Sequence, residues 1–153
     1  MPEPPHLEFI ADLTVTLGEP LVVGPTPRGL HRIIPITGGQ VEGPKLKGVI
    51  LPGGADWQYI DATGTTDVDA RYTLRTSDGV LLGITSLGLR AGPPEVLARL
   101  ARGEAVDPAT YYFRTAVRVE APAGPYEWLA RAIFLAQAER LPDTVRIRLW
   151  QVC

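Results

Sequence analysis

Apolar and polar side chains alternate with a period of two along most of this chain, the pattern of strands with one buried face. His6–Leu17 carries the alternation at greatest length and stops at Gly18-Glu19-Pro20. Gly29–Gly39 carries it again, and its internal Pro35, which cannot donate to a ladder, predicts an edge or a bulge. Further strands are predicted at Leu46–Leu51, Trp57–Asp61, Asp69–Thr76, Val80–Leu87, Tyr111–Glu120, Leu129–Arg140 and Val145–Val152. The Asp-Gly pair of Ser77-Asp78-Gly79 suits a tight hairpin, and Leu141-Pro142-Asp143 supplies another reversal.

One segment has helical spacing. Pro93–Gly103 opens with two prolines, carries Glu95 in its first turn and Arg102 in its last, and ends on Gly103, which predicts a helix over Pro94–Arg102. Val96, Leu97 and Leu100 form its packing stripe. Eight to ten short antiparallel strands with one short helix predict an all-β, mainly antiparallel fold, a meander closed or nearly closed into a barrel, because closure removes exposed edges. The helix is expected across one end or side. With 153 residues, a single β-barrel domain over residues 1–153 accounts for the chain.

Composition narrows the picture. Gly 16 and Pro 15 make up about a fifth of the chain, so it turns often and cannot be mostly helical. No apolar run reaches the roughly 18 residues of a membrane span, and the opening MPEPPHLEF has neither a basic nor an apolar leader region, so a cytoplasmic protein is expected. A net charge of -2 gives no electrostatic footprint for nucleic acid or an anionic membrane. Among the basic residues only Lys45 and Lys47 are lysines, and arginine is the residue suited to bidentate carboxylate recognition.

Scarce residues exclude reaction classes. The one cysteine, Cys153, rules out a disulfide framework and a Cys-rich zinc site. His6 and His31 show no metal-ligand spacing, and neither Ser77 nor Ser86 sits in a G-x-S-x-G elbow. Asp61–Asp69 fails the calcium-loop pattern at Thr66 and Tyr72, and Gly38–Gly43 matches no phosphate loop and reads as a bulged barrel corner. No metal and no cofactor are expected.

The run Gly29–Gly48, followed by Leu51-Pro52-Gly53-Gly54-Ala55-Asp56-Trp57, resembles the bacterial and fungal family known as domain of unknown function 3237. Asp69–Gly79, Tyr112-Phe113-Arg114-Thr115 and Tyr126-Glu127-Trp128-Leu129 agree with it, so the resemblance extends from about Leu7 to Val152. The Gly-Gly-Ala-Asp-Trp block is its most specific part. What the resemblance implies is a small barrel of lipocalin-like appearance, often oligomeric, with no general activity attached.

Four residues are the candidates for chemistry. Gly53-Gly54 frees a corner, and Asp56 and Trp57 follow as a carboxylate beside an apolar wall. If both face the barrel mouth, burial would make Asp56 a general acid or base; otherwise Asp56 caps the corner while Trp57 fills the core. Tyr72 shares a strand face with Ala70 and Leu74 and is an inward candidate. Arg114 shares a face with Tyr112: inward, it would pair with Asp56 or a ligand carboxylate, and outward it would be a solvated charge.

Two functions stay open on this reading. One is an acid/base enzyme of isomerase, lyase or cyclase type acting on a small organic molecule, with Asp56 catalytic and Trp57, Tyr72 and Arg114 binding substrate. The other is a carrier or sensor for a small organic ligand such as a carboxylate or phenolic. Strands apolar on both faces, Val80-Leu81-Leu82 and Ile33-Ile34, exceed what a barrel interior absorbs and point to a homo-oligomer.

Overall fold

Ten antiparallel strands form one sheet in the computed structural model, which describes residues 1–153. They are β1 (Leu7–Leu17), β2 (Leu21–Thr26), β3 (Gly29–Glu42), β4 (Gly48–Ile50), β5 (Gly54–Ile60), β6 (Thr66–Thr76), β7 (Leu81–Ala91), β8 (Tyr112–Glu120), β9 (Phe134–Arg140) and β10 (Thr144–Val152). Pairing runs β1-β10-β9-β8-β7-β6 and returns to β1 through β3, so the sheet closes into a barrel. Strands β4 and β5 share the position between β3 and β6, and β2 pairs with β3 alone, which leaves eight positions around the ring.

The alternating segments behave as their periodicity requires, and the differences have physical causes. β3 continues through Gly38-Gly39 to Glu42 instead of ending there, because a glycine at 39 lets β1 approach: a Cβ at Gly39 would lie 2.3 Å from the Thr14 carbonyl oxygen. The register between β1 and β3 shifts beside this point. β2 escaped the sequence reading because Gly24-Pro25 interrupts its short apolar run. The strand expected over Leu129–Arg140 begins only at Phe134, because Glu127–Arg131 forms a 3-10 turn that drives Leu129 fully into the core. β7 extends past Leu87 to Ala91, with Arg90 opposite Thr66 of β6.

The two ends of the barrel differ. One is solid: Leu129, Phe134, Leu74, Leu82 and Ile10 are fully buried there in the larger apolar cluster. At the other, the helix α1 (Pro94–Ala101) lays Leu97 and Leu100 against Val68, Phe113 and Ala138. Pro94 in the first turn and Glu95 near the N-terminus favour this helix locally, and burial of the two leucines holds it in place. No helix is long and apolar enough to cross a membrane.

Candidate active site

Between the solid end and the helix lies a small cavity of about 50 Å³. Its wall is mostly apolar, with Val15, Ile34, Val68, Phe113 and Ile147 among the contributors. Polar groups gather on one side: Asp56 and Gln58 from β5, Arg90 from β7 and Arg140 from β9 all line it. Tyr72 and the hydrogen-bonded pair Ser86 and Thr115, whose hydroxyls stand 2.7 Å apart, line it as well.

Period-two geometry places these groups. Asp56 and Gln58 are two apart on β5 and face inward together, with Ile34 and Arg32 of β3 opposite them. Gln58 is nearly fully buried and bridges its neighbours: its Nε2 donates to Asp56 Oδ2 at 2.6 Å, and its Oε1 accepts from Arg32 Nε at 2.7 Å. A guanidinium only donates and a carboxylate accepts, so this orientation of the amide is the one that satisfies both partners. Asp56 Oδ1 accepts the Asp69 backbone N–H at 3.1 Å, where the β5–β6 ladder is interrupted between the pairs Asp56–Ala70 and Tyr59–Asp67. Asp56 therefore does not cap the Gly53-Gly54 corner. It ties β5 to β6 and keeps its remaining lone pairs for the cavity.

Burial pushes the Asp56 carboxyl above its ordinary range, while the Gln58 and Asp69 hydrogen bonds and the charges of Arg90 and Arg32 pull it partly back. Arg90 is 7% exposed, and burial together with its like-charged neighbours Arg32 and Arg140 lowers its guanidinium to about 10, so it stays charged at neutral pH. Its Nε has no hydrogen-bond partner. Burial likewise lowers Arg32 and Arg140. Tyr72 has its hydroxyl pushed up by burial and keeps its proton.

Of the four residues named from the sequence, Asp56 and Tyr72 reach the cavity and two do not. Trp57 faces outward from β5, 37% exposed, over a shallow surface groove with Arg71 and Arg118. The reason is the strand period itself: with Asp56 and Gln58 inside, the residue between them is outside. Arg114 also faces outward, since Phe113, Thr115 and Val117 take the inward positions of β8. Its guanidinium donates to the Phe113 carbonyl at 3.0 Å and sits 5.3 Å from the Tyr112 ring centroid.

Sequence reasoning missed Arg32, Gln58, Arg90 and Arg140. For Gln58 the signal was available, two residues beyond Asp56 on one strand face. Arg32 lay in a predicted strand at an inward position shared with Ile34 and Ile36. For Arg90 the signal was weak, because Gly88 and Gly92-Pro93 surround it with turn residues.

Residues 5–152 match the family described as "Protein of unknown function (DUF3237)". A UPF0311 protein of Bradyrhizobium diazoefficiens is 41% identical over 145 residues, 95% of each chain. The crystal structure of a conserved protein of unknown function from Rhodopseudomonas palustris superposes with a TM-score of 0.93 at 37% identity, covering 100% of both chains. A beta-barrel like protein from Acinetobacter baumannii gives 0.88 at 39% identity over 100% of this chain and 99% of that one. A more distant relative, the hydroalkoxylation enzyme phnH of Penicillium herquei, is 32% identical over 84 residues, 55% of this chain and 56% of that protein. An enzyme from Penicillium herquei shares the fold, with a TM-score of 0.75 at 23% identity over 100% of this chain and 98% of that one.

Proposed function

This chain belongs to the DUF3237 family, and from that premise we propose that it is an acid/base enzyme of isomerase, lyase or cyclase type that turns over a small organic molecule in the barrel cavity. The observation that carries the reading is the buried carboxyl of Asp56, aimed into a largely apolar cavity and held on both oxygens by Gln58 and the Asp69 N–H. A carboxyl that burial holds above its ordinary range is a better proton acceptor than a solvated aspartate and can return the proton it takes. Asp56 takes a proton from a C–H or O–H of the substrate and delivers one to another atom of the same molecule. The sequence of steps is redox-neutral and needs no second reactant. Tyr72, protonated at all ordinary pH values, donates a hydrogen bond to the reacting oxygen.

Support also comes from the distant relative named as a hydroalkoxylation enzyme, a term for addition of an O–H across a carbon–carbon double bond, since that addition is itself a proton-transfer reaction. The test is solvent exchange. Small phenolic and carboxylate substrates incubated with the protein in heavy water should gain deuterium at carbon or rearrange, as followed by NMR, and Asp56→Asn should abolish both. Binding without exchange or rearrangement for any of them would leave the protein a carrier and overturn the catalytic reading.

We infer also that the barrel forms a homo-oligomer. Leu87, Ala116, Leu135, Trp150 and Phe9 stand in registered succession across the outer face of five neighbouring strands, with Leu87 49% and Leu135 39% exposed. Such a continuous apolar row on a sheet face suits the same row of a second copy.

A further inference from the structure

The cavity carries more positive charge than the protein itself neutralises. Arg32, Arg90 and Arg140 lie close enough for mutual repulsion, and three cations meet two carboxylates, Asp56 acting on all of them and Asp143 on Arg140. The seven ion pairs of the chain involve other residues, and none is made by these three arginines. Arg90 is the most constrained of them. It is more than nine-tenths buried, lines the cavity, and has an Nε–H with no acceptor. The Thr66 hydroxyl, directly across the β6–β7 ladder from Arg90, is the other buried side-chain polar atom without a partner. Burying a guanidinium with an unmet donor is costly, and a protein retains it where a second acceptor arrives.

We propose that Arg90 and Arg140 of the cavity wall, with the charge of Arg32 held next to them by Gln58, bind the oxyanion of a small organic acid, a carboxylate or phenolate, while the ligand's carbon skeleton lies on the apolar wall formed by Val15, Ile34, Val68 and Phe113. This names the substrate class for the cavity assigned above and rests on that assignment. The chemistry of the donors sets the ligand. A guanidinium offers paired N–H groups to planar oxyanions, and Gln58 holds Arg32 by its Nε while leaving its terminal nitrogens free of other side-chain bonds. The apolar remainder of the wall and the limited volume favour one ring or a short chain over a phosphorylated or extended molecule.

Calorimetric titration of the full chain tests this with three probes: benzoate, its uncharged counterpart benzamide, and inorganic phosphate. Benzoate should bind at least tenfold more tightly than either of the others. Arg90→Gln should lower benzoate affinity at least tenfold and leave benzamide unchanged. Asp56→Asn should raise benzoate affinity severalfold, because the competing carboxylate is gone. If Arg90→Gln fails to fold, as judged by circular dichroism, Arg140→Gln carries the same expectation. Equal binding of benzoate and benzamide, phosphate binding as tight as benzoate, or benzoate affinity untouched in both arginine variants would overturn the proposal. Benzoate selectivity without solvent exchange in any substrate would sink the catalytic reading and leave this one standing, whereas exchange in neutral substrates with no benzoate binding would do the reverse.

Discussion

The side-chain amide of Gln58 donates to Asp56 Oδ2 at 2.6 Å, from two residues along the same inward face of β5. The bond lowers the Asp56 carboxyl against the larger, opposing effect of burial. It also relays Asp56 to Arg32, whose Nε the same amide accepts. Gln58→Leu keeps most of the volume and removes both bonds, leaving two charged groups short of a partner. Loss of a hydrogen bond to a charged group costs about 1.5–3 kcal/mol, so the variant should be destabilised by that order in urea unfolding. Its Asp56 should titrate at higher pH than in the wild type, read from the carboxyl carbon shift by NMR. A carboxyl that titrates unchanged would show that the amide is mere packing.

Stability should depend on pH through Asp56, with a sign set by burial. The folded state holds this carboxyl above its ordinary value of 3.8, so the folded chain binds its proton more tightly than the unfolded chain does. The resulting stabilisation is fully present below the ordinary value and is lost as pH rises through the folded one. Wild type should therefore lose stability relative to Asp56→Asn as pH climbs from about 3.8 upward, and the difference should level off once Asp56 is ionised in the folded state. Parallel thermal melts of the two proteins across that range measure it. Curves that stay parallel throughout would show that Asp56 feels no net burial.

Trp57 and Arg114 provide the complementary expectation. Both face away from the cavity, Trp57 over a surface groove and Arg114 beside Tyr112. Trp57→Ala and Arg114→Ala should retain turnover and benzoate binding within about twofold of wild type, while Tyr72→Phe should reduce turnover. Arg114→Ala removes one half-exposed cation with no ion pair, and its effect on stability should stay within about 0.5 kcal/mol, as for ordinary surface positions. A tenfold fall in turnover for either outward variant would reassign the site to the outer face.

The outer apolar row predicts a mass above that of one chain by light scattering at tens of micromolar. Leu135→Lys should shift the protein toward the monomer, since a charge at the centre of a close-packed apolar contact is costly to bury. A clean 16.6 kDa species for the wild type would remove the proposal.

Period-two alternation by itself determined that this chain is a β-barrel, because a strand with one apolar face must bury it and a closed sheet is how many short strands do so without edges. It also made Tyr72 an inward candidate, whereas Asp56 stayed open between the barrel mouth and a corner cap until the fold turned it inside, and with Asp56 inside the strand period puts Trp57 outside. For Arg114 the local pattern left both faces open, and only the packing of Phe113 and Thr115 against the core decided it. The arginine cluster was decided entirely in three dimensions. Arg32, Arg90 and Arg140 stand on β3, β7 and β9, far apart in sequence, and ring closure brings those strand ends to one rim. Arg90 turns inward only because β7 continues past Leu87 to pair with Thr66, a long-range register that a run of Gly, Leu, Arg and Pro does not announce. Local periodicity fixes which way a side chain points along its own strand, and only the closure of the sheet decides which side chains it will meet.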